Sequence, residues 1–330
     1  MAPIVSTTAQ LFLVMRSMSQ AFDALCDYLR RSSGLVMEQS KKYLVESRVM
    51  PIVRREKLSG LDELVLILQK NQSPKLAKDV IEAMTINETY FFRDKSPFDQ
   101  FRNVMLPAMI AKRQSEKRLR IWSAAASTGQ EAYSLAMILD ENAARMPGWK
   151  IEILGTDLSD QVLDKARKGI YSQFEVQRGL PTPMLLRNFN QIGDSWQISE
   201  AMRNKVQFRQ MNLLADYTAL GRFDIILCRN VLIYFDAARK MDILGRMTRV
   251  LAPDGFLTLG ASESLIGLKT DLVGHPEHRG IFMRNGAPVP ASSENKFAPR
   301  AAPAPSPAPA TLPTSFAASA MQAARMRTAG

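Results

Sequence analysis

The sequence predicts an α/β protein: a small all-α domain, then a mainly parallel sheet with helices on both faces, a small inserted subdomain and a disordered tail. Three observations carry this. Up to about residue 85 the apolar residues recur at helical spacing; from about 115 to 284 short apolar runs alternate with amphipathic stretches; beyond that alanine and proline dominate. Alternation of strand-like and helix-like segments implies a parallel sheet covered on both sides.

In the first region Phe22, Leu25 and Leu29 form one helical stripe and Leu61, Leu64, Val65 and Leu68 a second. Ser73-Pro74 reads as a helix start, with serine as N-cap and proline in the first turn. The expected boundaries are a flexible N-terminus over 1–18, a helical domain over 19–85 and a linker helix over 86–114. The sheet then begins with Leu119-Arg-Ile-Trp122, a small-residue turn and an amphipathic helix from Glu131 to Asp140. Lys150 to Leu154 is the second strand, leading to Gly155-Thr-Asp157, and Val162 to Lys168 is helical. Val206-Gln-Phe208, Phe223 to Cys228 and Gly255 to Gly260 follow as strands, the last two separated by a helix over 236–251. Gly280 to Arg284 closes the series. The segment 171–204, with Pro181, Pro183 and Trp196-Gln-Ile198, breaks the alternation and reads as an inserted helix with a few short strands. Residues 285–330 hold 8 of the chain's 18 prolines. Too little apolar surface is available there to offset the entropy of ordering, so a disordered tail is expected, with a weak helix near Phe316 to Met326.

Composition excludes several classes of function. Of 330 residues 46% are hydrophobic and 23% charged, a globular profile. No apolar run approaches the roughly 18 residues a membrane span needs, and Leu11 to Met15 lacks the flanks of a signal peptide, so a cytoplasmic location is the expectation. Cys26 and Cys228 make no disulfide framework. His275 and His278 are the only histidines, and Pro276 breaks the helical spacing a ligand pair would use. No metal site is expected. The net charge of +11 favours an acidic partner. The basic residues are scattered, without the aromatic interleaving of single-strand binders.

In an open parallel sheet, ligands bind beyond the carboxyl ends of the strands. The first strand empties into Ser123-Ala-Ala-Ala-Ser-Thr-Gly129-Gln-Glu131. Small residues and Gly129 there let the backbone approach a ligand closely. The glycine spacing of a pyrophosphate-binding turn is absent, and Glu131 places a carboxylate where a phosphate would be repelled but a sulfonium or ammonium attracted. Asp157, at the end of the second strand, suits a pair of ribose hydroxyls. Together these residues point to an adenosine ligand without a pyrophosphate, S-adenosylmethionine.

The run Ile121 to Ser134 resembles the signature of the chemotaxis receptor methyltransferases, the CheR family. Thr85-Ile-Asn-Glu-Thr-Tyr-Phe-Phe-Arg-Asp94, Phe223 to Phe235 and Leu251-Ala-Pro-Asp-Gly-Phe256 are similar to further family segments, in the family's order. The resemblance implies a Rossmann-like class I methyltransferase sheet and a protein-glutamate O-methyltransferase. Such an enzyme takes S-adenosyl-L-methionine, releases S-adenosyl-L-homocysteine and esterifies glutamates on methyl-accepting chemotaxis receptors. It also implies cofactor contacts at Asn87, Thr89, Arg93, Glu131, Asp157, Asn212, Leu213, Arg229 and Asn230, with Arg93 pairing with the cofactor carboxylate. Methyl transfer to a carboxylate asks for positioning and little acid–base work, since a glutamate is ionised at neutral pH. Arg229 is placed to hold that carboxylate, with Tyr234 as a second catalytic candidate.

Phe91, Phe92 and Tyr133 are expected to pack, and Cys228 to be a buried small residue. Lys41, Lys42, Arg48, Arg54, Arg55 and Lys57 read either as a docking surface for an acidic receptor helix or as a solvated helix face. Pro51 interrupts the helix there. Ala261 stands where relatives often carry histidine, and the short insertion suits an enzyme independent of a receptor's terminal peptide. A monomer without nucleic acid or membrane insertion is expected. Two other readings are a methyltransferase of RNA or small molecules, and a non-catalytic relative that binds cofactor or scaffolds receptors.

Overall fold

A computed structural model describes residues 7–288, with side chains from Gln20 onward. Of the tail expected over 285–330 only 285–288 are described, with the Asn285 amide on the Asp271 carbonyl at 2.8 Å; the rest, with the helix expected near Phe316 to Met326, lies outside the described residues. The chain opens with helices α1 (Thr7–Ser32), α2 (Lys42–Arg48), α3 (Met50–Arg55), α4 (Leu61–Gln69) and α5 (Pro74–Met84). Helix α1 thus begins inside the stretch expected to be flexible. The two sequence stripes meet: Phe22, Leu25 and Leu29 of α1 and Leu64, Val65 and Leu68 of α4 are buried in one cluster with Val45, Val53 and Val80. Ser73 caps α5, its hydroxyl accepting from the Leu76 amide at 3.2 Å. Pro51 sits in the first turn of α3, just after α2 has ended at Arg48.

The linker helix expected over 86–114 begins only at Ser96, with α6 (Ser96–Gln100), a π-helical turn over Phe101–Met105 and α7 (Leu106–Lys112). Before it, Phe92, Asp94 and Lys95 have φ of 53°, 67° and 47°. Their backbone groups serve distant partners: the Phe92 amide donates to the Ser134 hydroxyl (3.0 Å) and the Arg93 carbonyl accepts from Arg229 (2.8 Å). Tertiary bonds at the site have overridden local helix propensity.

The second part comprises β1 (Arg118–Ala124), α8 (Gln130–Glu141), β2 (Lys150–Asp157), α9 (Asp160–Lys168), β3 (Ile170–Ser172), α10 (Gln173–Gln177), α11 (Thr182–Asn188), β4 (Phe189–Ile192), β5 (Ser195–Ile198), α12 (Glu200–Arg203), β6 (Val206–Gln210), β7 (Phe223–Cys228), α13 (Ala237–Val250), β8 (Leu251–Leu259), β9 (Leu272–Gly274) and β10 (Ile281–Arg284). The main sheet runs β6-β2-β1-β7-β8-β10-β9, parallel through β8, with β10 antiparallel to both neighbours. Strand periodicity sorts the central residues between two cores. Ile121, Ile225 and Leu227 face the cluster that holds α8, whereas Trp122, Ile226 and Cys228 face the one that holds α13. Both faces are covered, as a parallel sheet requires.

The inserted segment carries a separate antiparallel sheet, β3-β5-β4. Phe91 joins it to the main body, its ring edge-on to Tyr171 at 5.1 Å and to Phe189 at 5.5 Å. Phe92 packs on Phe98, and Tyr133 is buried against Phe208 with its hydroxyl bonded to the Ala166 carbonyl. Among the described residues, no helix is long and apolar enough to cross a membrane.

Candidate active site

From β1 the chain crosses to β2 on one side, while β7 continues to β8 on the other. The crevice between these halves opens beyond Ala124, Asp157 and Cys228. A cleft of about 900 Å³, counted out to its mouth, lies there. Asn87, Thr89, Arg93, Glu131, Asp157, Asn212, Leu213, Arg229, Asn230 and Tyr234 all line it. Residues from five separate chain segments thus meet in one place.

The backbone around the cleft is held in unusual conformations. Ala125, Ser127 and Asn230 have φ of 59°, 50° and 58°. With Phe92, Asp94 and Lys95, in the turn that Arg229 holds, they make six of the nine positive-φ non-glycine positions among the described residues, a form of stored strain that accompanies functional sites. Gly129 has a different task from the one the sequence suggested. It does not line the cleft; at φ +94° its missing Cβ faces the core, where a methyl would lie 2.9 Å from Ala166 and 3.0 Å from Phe208. Glycine here lets the loop settle on α9 and β6. Gly129→Ala is therefore expected to lower stability by about 1–3 kcal/mol, read as a lower midpoint in thermal unfolding.

Asp157 accepts from the Ser127 amide at 2.8 Å and the Ser159 amide at 3.0 Å, one on each oxygen. The remaining lone pairs are free for a ligand diol. Burial pushes this carboxyl above its ordinary value, opposed by those backbone donors and reinforced by the nearby Glu82 charge. Ser127 also donates its hydroxyl to the Asn87 carbonyl (2.7 Å), tying the 85–95 segment to the switch loop. Arg93 half-emerges at the cleft, with Nη1 on the Glu88 carbonyl at 2.5 Å and its guanidinium over Tyr90.

Arg229 is the most constrained group. Its side chain is 1% exposed, with Nη1 on Glu131 at 2.7 Å and Nη2 shared between the Arg93 carbonyl and Asp94 at 2.8 Å each. Glu131 is fixed from the other side by the Ser123 hydroxyl at 2.7 Å. The guanidinium therefore ties β7 to α8 and to the 93–94 turn, and it is closed to a substrate carboxylate. This revises the substrate-holding task read for it from sequence. Its Nε is buried without a partner.

Asn212 likewise uses its amide internally, donating to the Ser32 carbonyl at 2.8 Å and accepting from the Leu214 amide at 2.9 Å. Through it, Ser33 and Leu35 of the helical domain reach the cleft. The Val36 amide on the Tyr234 carbonyl (2.9 Å) closes the same contact. No sequence pattern marked this contribution, because it joins residues some 180 positions apart. Ser123, Ser127 and Asp94 stood inside the recognised motifs, and only their partners were invisible.

The residues fit S-adenosylmethionine on grounds of donor chemistry. Two carboxylates, Glu131 and Asp157, disfavour phosphates; Asp157 keeps open lone pairs; Arg93 has no carboxylate partner among the described residues. The model of the all-alpha domain of CheR methyltransferases matches residues 20–85, and that of their S-adenosylmethionine-binding domain matches 87–278. A chemotaxis protein methyltransferase of Pseudomonas putida is 41% identical over 251 residues, covering 75% of this chain and 91% of that protein. One from Pseudomonas aeruginosa is 42% identical over 259 residues (77% and 93%), and one from Vibrio cholerae 41% over 252 (76% and 90%). With both domains matched in order and the cofactor crevice built as that chemistry needs, the chain belongs to the CheR methyltransferase family and takes S-adenosylmethionine as its cofactor.

Proposed function

We propose that this methyltransferase esterifies glutamate side chains on chemotaxis receptors. The observation that carries the reading is the lack of a free general base in the cleft among the described residues. Neither histidine lines it, Glu131 is bonded to Arg229, Glu88 is paired with Arg178, and Asp157, whose open lone pairs suit the ribose diol, would be occupied by the cofactor. An amine or hydroxyl acceptor has to lose a proton, whereas a carboxylate arrives ionised. The names of the relatives, chemotaxis protein methyltransferases, support the same acceptor.

When bound, the cofactor supplies an electrophilic methyl on its sulfonium. Asp157 would hold the ribose hydroxyls and Arg93 the cofactor's carboxylate. Arg229 keeps Glu131 and the Arg93–Asp94 turn in place. Tyr234 is half-buried, its hydroxyl carries no hydrogen bond among the described residues, and burial raises its pKa, so it remains a neutral donor. It would orient the incoming carboxylate without neutralising it. Tyr234→Phe should accordingly lower the transfer rate by about tenfold, the loss of one hydrogen bond to a charged group. Affinity for S-adenosylhomocysteine, measured by calorimetry, should not change.

The basic stretch resolves into two groups. Arg48 caps α5 through the Ala83 and Thr85 carbonyls, and Arg55 pairs with Glu56 and Asp79. Lys41, Lys42, Arg54 and Lys57 carry no ion pair among the described residues and would meet an acidic receptor helix, chiefly steering encounter. The function is tested by incubating the protein with receptor-containing membranes and radiolabelled S-adenosylmethionine. Label released as methanol by alkali supports a carboxyl ester; alkali-stable label would point to another acceptor.

A further inference from the structure

Behind the cleft, and not lining it, one carboxylate collects four backbone donors. Glu263 Oε1 accepts from the Val231 amide at 2.9 Å and the Leu232 amide at 2.7 Å. Its Oε2 accepts from the Asn230 amide at 2.8 Å and the Gly260 amide at 2.7 Å. No cation pairs with it among the described residues. Successive amides turned to one side form an anion-binding concavity, and here the chain fills it with its own side chain.

What this carboxylate holds is the turn that follows β7. Asn230 sits there at φ 58°, a conformation a non-glycine residue keeps only under outside constraint. The turn carries Asn230 and Val231 into the cleft wall and leads directly to Tyr234 and Phe235, which also line it. Gly260 completes the arrangement from the far side. A methyl there would fall 2.7 Å from Glu263 Oε2, 2.8 Å from the Asn230 amide nitrogen and 2.9 Å from Asn230 Nδ2. Its φ lies outside the left-handed region, so close approach alone calls for glycine.

We infer that Glu263, seated against Gly260, is a positioning residue for methyl transfer, fixing the Asn230–Tyr234 turn against the acceptor side of the cleft without touching cofactor or substrate. The assignment rests on the cleft being the site of transfer. It separates two contributions: Asp157 and Arg93 belong to cofactor retention, while the Glu263-held turn, including Asn230, which the resemblance gave as a cofactor contact, belongs to the reaction step.

The test uses the full-length chain with Glu263→Ala and Gly260→Ala, which break the same contact from opposite sides. Three quantities are compared with wild type: S-adenosylhomocysteine affinity by calorimetry, kcat on receptor membranes, and amide hydrogen exchange across residues 229–235. The expected result is faster exchange at Asn230 to Leu232 and kcat at least about tenfold lower. Cofactor affinity should stay within about threefold of wild type. A purely structural residue would lower affinity and kcat together, and that outcome overturns the assignment. So does kcat within twofold of wild type despite faster exchange. If both variants are unfolded at the assay temperature, Glu263 is structural and the assignment falls. Should wild type methylate a group other than a carboxylate, the proposed substrate is wrong, yet kcat on that acceptor still decides the role of Glu263.

Discussion

Arg229→Ala is expected to abolish measurable transfer and to loosen the protein at once. Removing the guanidinium leaves Glu131 buried beside Ser123 without its cation and frees Asp94 and the Arg93 carbonyl. Breaking a buried pair from one side costs about 3–5 kcal/mol, because the surviving charge stays desolvated. The loss of activity should exceed about a hundredfold, since both Glu131, which lines the cleft, and the Arg93 turn lose their fixed geometry. Cofactor affinity provides the discriminating readout. If Arg229 touched only the substrate, its removal would leave S-adenosylhomocysteine binding intact; as a tie between β7, α8 and the 93–94 turn, it should weaken that binding too. Arg229→Ala combined with Glu131→Gln should recover part of the stability but none of the activity. Arg229→Lys should fall between, because an ammonium cannot bridge Glu131 and Asp94 as a planar fork does.

The second large effect concerns Asp157 and pH. Burial raises its pKa in the unliganded protein, which means that the folded state holds the proton longer than an unfolded chain would. The sign follows by linkage. This group's contribution to stability is present at low pH and is lost as pH rises through the folded-state pKa, where the carboxylate must ionise in a desolvated position. A ribose diol donating to it favours the ionised form, so cofactor binding releases a proton and tightens as pH rises through the same range. S-adenosylhomocysteine affinity should therefore be flat near neutrality and fall on acidification, beginning above the pH at which an ordinary aspartate titrates. Asp157→Ala should weaken binding at neutral pH by roughly two to three orders of magnitude, the loss of two charge-assisted hydrogen bonds. It should also remove the acid limb of the profile. Calorimetry across a pH series reads both; a profile unchanged by the substitution would detach Asp157 from the cofactor.

What could be read from sequence divides along physical lines. The periodic apolar stripes, the serine cap before Pro74 and the alternation of strands were visible because they are local. Tertiary bonds made the differences. The 86–114 stretch reads as a linker helix, yet Ser134 and Arg229 hold the backbone of Phe92 and Arg93 in an irregular turn and the helix begins only at Ser96. β9 is three residues long and has no periodicity to detect. All ten site residues named from the sequence line one cleft, but their tasks depend on partners that only the fold supplies. Asn212 and Arg229 face inward to Ser32 and Glu131, and Gly129 serves packing. Glu263 stands two residues beyond Ala261 with nothing local to mark it; that it gathers the amides of Asn230 to Leu232 from some 30 residues away only the fold shows.

The central claim, that the acceptor is a receptor carboxylate, is tested most directly by locating the transferred methyl. Receptor-containing membranes would be incubated with the protein and S-adenosylmethionine, digested, and the peptides sequenced by mass spectrometry. The account predicts the added methyl on glutamate side chains of the receptor's cytoplasmic helices, lost on mild alkali and absent with Arg229→Ala. Methyl found on lysine, arginine or a hydroxyl group, stable to alkali, would contradict it.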